Sequence, residues 1–328
     1  MHHWTSLAAA AALLANGAVA QFNMLRFACS QLIVGGNSFN LTMTPVEYDL
    51  AERSTCTSCS FKQDKSNYWT AVMFFKHKNG SYHRVPQIGN GGPQGQLINN
   101  GGLDVYYIPS GKVTAFAPGF RMLAGEATNT DDSKVSSGNI CHRCWNQPDE
   151  NQFVGGAPCT GTDTVAIPQD PSCYMIRQTI IFPACWDGQN LDTPDHKSHV
   201  AYSGTGATGG GPCPASHPVK LPQVMYEIMW DVSQFRDQSM WPEDGPAFIY
   251  SMNLGGSAAH GDYLFGWEGD TLQRAMDNGC NLNLDCPSAG LTAQPPEEYN
   301  ACTIPQQAPE PVDGWLASMP MGEMAVRA

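Results

Sequence analysis

The chain reads as a mainly β protein: a disulfide-rich β-sandwich or jelly-roll-like core with long loops and few short helices. Three observations predict this. The 328 residues are punctuated by 33 glycines and 24 prolines, so no long stretch keeps helical periodicity. The apolar runs between them are short and rich in β-branched and aromatic residues, the composition of pleated strands. Twelve cysteines, an even number and all beyond residue 20, suit a cross-linked secreted chain.

From the amino end, residues 1–20 form an alanine and leucine run ending in Ala18-Val19-Ala20, the small-x-small pattern of a signal peptide. Residues 21–286 then read as a single secreted β-rich domain. Its strands are expected at Trp69–Phe75, Leu103–Ile108, Val113–Phe116 and Met175–Phe182. Asn79-Gly80 marks a hairpin turn, because that pair tolerates the positive φ of tight turns. Thr271–Asp277 is the best helix, with Asp270 placed to cap it and Gly279 to end it; Gln223–Glu227 is a second helical candidate. The glycine-rich stretch 204–211 is a loop. Residues 287–328 are Pro-rich and read as a loosely ordered tail, tied back at Cys302.

A formal net charge of −13 with only 17 lysines and arginines argues against nucleic acid, whose phosphates require a basic face. Beyond the leader, no apolar run is long enough to span a bilayer. A secreted monomer is expected. All twelve cysteines (Cys29, Cys56, Cys59, Cys141, Cys144, Cys159, Cys173, Cys185, Cys213, Cys280, Cys286 and Cys302) are assigned to disulfides, including the two C-x-x-C pairs, which could otherwise suggest zinc. Sequons at Asn40 and Asn79 mark glycosylation sites of the same compartment.

The densest stretch is CWDGQNLDTPDHKSHVAY, residues 185–202. Its His196-x-x-His199 spacing, with His217 and His260 further on, suggests a divalent transition metal, imidazole being a common ligand for such ions. Asp192 and Asp195 could ligate or orient the rings. The bland alternative is that each histidine only ties down a loop. Asp195, His199, Asp262 and Tyr263 are the candidate acid–base residues, either among the acids of a glycosidase pair or as a histidine and tyrosine that move a proton of a uronic acid. Trp186, Trp267 and Tyr202 are candidate platforms for a sugar ring, although most tryptophans of a β domain belong to its core. No G-x-S-x-G nucleophile elbow is present.

Several segments carry a family resemblance: FFKHKNGSYHRVPQ, GFRMLAG, FPACWDGQNLDTPDHKSHVAY, CPASHPVKLPQVMYEIMWDV and HGDYLFGWEGDTLQRAMDNGC. From Phe27 to Cys286 the chain resembles the secreted fungal family labelled domain of unknown function nineteen-ninety-six, whose members are sometimes joined to WSC carbohydrate-binding domains. The resemblance implies a secreted or cell-wall-associated protein whose partner is a wall polysaccharide, and it implies no established activity. The departure is at the amino end. Where the family places a segment with two histidines, Cys29-Ser-Gln-Leu-Ile-Val34 runs straight into Gly35-Gly36, a gap of roughly twenty residues, within the size of a loop deletion. Either the block is absent from the protein or two exons are mis-joined in the gene. Two readings of function follow: an enzyme acting on wall polysaccharide, metal-assisted through the His/Asp loop, or a non-catalytic carbohydrate-binding or wall-structural protein.

Overall fold

A computed structural model describes residues 24–31, 49–89, 101–129, 138–147, 158–204, 210–251, 258–280, 285–303 and 310–320. The expected leader at 1–20, the Asn40 sequon and the Val34–Gly35 junction lie outside these residues. The first half comprises β1 (Leu25–Cys29), α1 (Leu50–Arg53), β2 (Asn67–Thr70), β3 (Met73–Lys76), β4 (Tyr82–Arg84), β5 (Gln87–Ile88), β6 (Leu103–Ile108), β7 (Arg121–Gly125) and β8 (Ile140–Trp145). Then come β9 (Met175–Ile181), β10 (Cys185–Trp186), β11 (Val200–Ala201), β12 (Val219–Lys220), β13 (Gln223–Asp231), β14 (Phe248–Tyr250), β15 (His260–Leu264), α2 (Thr271–Asp277), α3 (Pro296–Asn300) and β16 (Trp315–Leu316).

The main sheet runs β1-β6-β13-β9-β8, with β5 added on β13, and every pairing is antiparallel. Alternation assigns its faces. Phe27, Tyr107, Tyr226, Ile228 and Ile180 point into the core, each fully buried. Against this face lies the three-stranded sheet β2-β15-β7. Contact between the two layers is close at Gly261, where a Cβ would stand 3.0 Å from Phe182 Cζ and 3.2 Å from Tyr226 Cε2. Only glycine lets β15 come so near. The Tyr226 hydroxyl then donates to the Asp262 carbonyl at 2.8 Å.

A polar chain runs through this core. Tyr68 donates to Asp64 at 2.6 Å, and the Tyr107 hydroxyl lies 2.9 Å from those of Tyr68 and Tyr263. Trp267 Nε1 donates to Tyr107 at 3.1 Å. Each of these buried polar groups thus has a partner, the condition for keeping such groups out of water. Burial nevertheless pushes the Asp64 carboxyl up to about 6.

The opposite face of the main sheet holds a row of ion pairs: Arg26 with Asp104, Arg177 with Glu227 and Arg143 with Asp163. Asp104 and Glu227 face each other across β6 and β13, and the Tyr106 hydroxyl donates to Glu227 at 2.6 Å. Burial raises Asp104 to about 7 despite the Arg26 guanidinium. Three cations thus meet three anions, although Asp104 Oδ1 and Arg177 Nε and Nη2 are enclosed without a hydrogen-bond partner among the described residues.

All twelve cysteines are paired: Cys29–Cys59, Cys56–Cys302, Cys141–Cys159, Cys144–Cys173, Cys185–Cys213 and Cys280–Cys286. Neither C-x-x-C pair closes on itself. Six disulfides fit an oxidising, extracellular compartment, and no helix among the described residues is long and apolar enough to cross a membrane. Five expectations are corrected. Gln223–Glu227 is not helical but begins the central strand β13, since both of its faces are covered by protein. Val113–Phe116 is irregular, held by Thr114 N–H on the Lys220 carbonyl. The Trp69–Phe75 run breaks into β2 and β3, which join different sheets. The described parts of the tail are docked: Tyr299, Leu316 and Met319 are buried, and the Gln294 side chain donates to the Thr57 and Cys59 carbonyls. Helix α2 spans its expected residues, but Asp270 makes no side-chain cap; it pairs with Arg274 at 3.1 Å.

Candidate functional site

The outward face of β2-β15-β7 gathers the side chains most suited to chemistry. Along β15, His260, 2 % exposed, and Asp262, partly exposed, lie on the face away from the core, while Gly261 and Tyr263 point into the core. Asp262 is paired with Leu123 of β7 and Trp69 of β2, and Arg121 lies one pleat along β7. The segment 191–199 lies along the outer edge of β7. Arg121 N–H donates to the Leu191 carbonyl at 3.0 Å, and Leu123 N–H to the His196 carbonyl at 2.9 Å. This brings His196 to the same face, in a left-handed backbone conformation with φ 54°, strained for a residue with a Cβ.

The two histidines of this face are each held at Nδ1, and neither Nε2 has a hydrogen-bond partner among the described residues. Asp192 Oδ1 holds His196 Nδ1 at 2.6 Å, and the Ala258 carbonyl accepts from His260 Nδ1 at 2.7 Å. A carbonyl can only accept, so His260 carries its proton on Nδ1 and presents Nε2 as a lone pair. The indole of Trp69 packs on that ring with centroids 5.1 Å apart. Arg121 is 6 % exposed, yet its guanidinium makes no hydrogen bond or ion pair among the described residues, and its Nε is wholly enclosed. The Asp262 carboxylate also lacks a hydrogen bond or ion pair among them. Burial raises its pKa, opposed by His260 when that ring is protonated, by Arg121, by His196 when protonated and by Lys197. A guanidinium held out of water with no hydrogen-bond partner is costly to bury. Such groups mark a place where something else is meant to bind.

The other sequence candidates are placed differently. His199 is buried, with Nε2 against the Arg121 carbonyl at 2.8 Å and Nδ1 against Thr193 Oγ1 at 3.0 Å. Its ring fastens the loop to β7, and both nitrogens are occupied. Asp195 accepts from the Ser198 and Lys197 backbone and from the Thr193 and Ser198 hydroxyls. Led by the Ser198 N–H, these donors hold its carboxyl well below the ordinary range, so it caps a turn. Tyr263 and Trp267 belong to the buried network, which corrects the expectation of an acid at one and a sugar platform at the other. Trp186 is half-buried and donates to the Asn190 carbonyl at 2.6 Å. Tyr202 exposes its ring while its hydroxyl donates to the Ile181 carbonyl. His217 bridges Ser216 and the Ser198 carbonyl.

The four histidines therefore do not gather around a common point. Among the described residues, the groups whose ligand atoms approach closely enough for a metal are Cys29, Cys59 and Asp64, and Cys144, Asp170 and Cys173. In both, the sulfurs are those of disulfides, which lack the thiolate charge that holds a metal. Arg121 was missed from the sequence. The signal for Arg121 was there: in Phe120-Arg-Met-Leu-Ala124, period-two alternation sets Arg121 opposite the core-facing Met122 and Ala124.

The fold and site thus define a disulfide-stapled antiparallel β protein with an unsatisfied His/Asp/Arg face on its smaller sheet. The chain belongs to the family described as Domain of unknown function (DUF1996), whose model matches residues 27–267. Neither the curated proteins nor the solved structures returned a match.

Proposed function

We propose that this is a secreted enzyme acting on cell-wall polysaccharide at the face formed by Arg121, Asp262, His260 and His196. The observation that carries the reading is the Arg121 guanidinium, 6 % exposed and without a partner among the described residues, beside an acid of raised pKa and a histidine whose Nε2 has no hydrogen-bond partner among them. These are an anchoring cation, a proton donor and a proton acceptor. Asp192 orients His196, and Trp69 supports the His260 ring. His199 and Asp195 act as positioning residues that hold the 191–199 segment on β7. The chemistry requires no metal among these residues, and a bound divalent ion would be revealed by elemental analysis of the purified protein.

The test is release of oligosaccharides from a panel of isolated wall polymers. Asp262→Asn should lower the rate by about a hundredfold or more, the usual worth of a general acid, and Asp195→Asn should leave far more activity. Equal activity in wild type and Asp262→Asn would remove this face from the mechanism. The competing reading, a carbohydrate-binding or wall-structural protein, draws on the exposed rings of Tyr202 and Trp315. It requires retention on insoluble glucan or chitin without product, lost on changing those two residues.

A further inference from the structure

We propose that the Arg121 face receives a uronate residue of an acidic polysaccharide and cleaves the chain there by β-elimination. This rests on the reading of that face as the catalytic site and adds its substrate class and bond chemistry. Arg121 is the deciding residue. It is 6 % exposed and unpaired among the described residues, and although it shares a face with Asp262 the two form no ion pair. A neutral sugar would leave that charge uncompensated, whereas a carboxylate fits the guanidinium fork through two parallel hydrogen bonds.

Neutralising a uronate carboxylate also acidifies the proton on the neighbouring C5, which is what an elimination requires. The step is balanced with the groups present. His260 Nε2, its other nitrogen fixed by the Ala258 carbonyl, takes the C5 proton. The released electron pair forms the C4=C5 double bond, the C4–O bond breaks, and the departing oxygen takes a proton from the Asp262 carboxyl. No water is consumed, and a proton passed from His260 back to Asp262 through solvent resets the site. His260 and Asp262 leave the same side of β15 two residues apart, roughly 7 Å along a strand, a spacing that a sugar ring can bridge. The remaining cation nearby, Lys197, is engaged by Glu126 at 3.0 Å, so Arg121 is the free cation of this face among the described residues.

The full secreted chain would be incubated with polygalacturonate, glucuronan and alginate, and with neutral β-glucan and chitin as controls. New reducing ends and the ultraviolet absorbance of an unsaturated uronyl product would be followed together. Both should rise in equal amounts on a polyuronate and on no neutral polymer, and Arg121→Gln should lower kcat/KM by at least about 100-fold, as when an electrostatic donor is removed. Reducing ends without the absorbance would overturn elimination while leaving the polysaccharide reading intact; no product from any polymer would overturn both. Because Arg121→Gln could fail to fold, wild-type protein would also be titrated with free galacturonate and galactose by ligand-observed NMR. Contact with the uronate alone is expected, and equal contact with both sugars would overturn the assignment of Arg121.

Discussion

Replacing Asp64 by asparagine should flatten the pH dependence of stability in a calculable way. Asp64 is fully buried, accepts from the Ser66 backbone at 2.9 Å and from Tyr68 at 2.6 Å, and burial raises it from the ordinary 3.8 to about 6. Between these two values the folded protein holds a proton that the unfolded chain has released. Unfolding free energy therefore falls as pH rises through this window, and the stabilising contribution is complete only below the unfolded pKa. A shift of about two units corresponds to about 3 kcal/mol. The amide of the Asp64→Asn variant keeps an acceptor for Ser66 and carries no charge at any pH, so the variant lacks this contribution. Urea unfolding with disulfides intact, at about pH 4 and about pH 7, reads the difference. The wild-type midpoint should drop more than that of Asp64→Asn, by on the order of 1 M urea. Asp104 and Asp262 move in the same direction in both proteins and cancel in the comparison. Midpoints that shift in parallel would refute the placement of Asp64 as a buried carboxyl in the tyrosine network.

Other outcomes follow from the same structure. Gly261→Ala drives a methyl against Phe182 and Tyr226 and should destabilise by about 1–3 kcal/mol, as overpacking does, measured by thermal unfolding; an unchanged Tm would mean that the two sheets are less closely packed. Cys56→Ser with Cys302→Ser opens a bridge of sequence separation 246 and should lower stability by about 2–5 kcal/mol, with residues 285–303 becoming sensitive to limited proteolysis. Asn79 is exposed in the β3–β4 turn, its Oδ1 accepting from Ser81; peptide mapping of protein from a eukaryotic host should find it glycosylated and Ser81→Ala should abolish the modification.

Much of the fold was legible because its determinants are local. Gly and Pro punctuation ended the strands, β-branched and aromatic composition marked Leu103–Ile108 and Met175–Phe182, and cysteine number announced the staples. The segment at Gln223–Glu227 was misread because a strand buried on both faces loses the alternation that betrays it. The 185–202 stretch is dense in polar groups, yet composition cannot say which of them spend their hydrogen bonds on the loop itself. His199 and Asp195 do; among the described residues, His196 keeps one nitrogen free.

By itself, then, the sequence determined the mainly β class, the oxidised cysteines, and the alternation that separates Asp262 from Tyr263 and Arg121 from Met122. Only the tertiary structure decided which of the two faces met the core, which cysteines pair, and that Arg121, His196, His260 and Asp262 share one surface. The physical reason is that strand periodicity is written in neighbouring residues, whereas burial, charge partnership and the resulting pKa depend on groups brought together from positions 69, 121, 196 and 262.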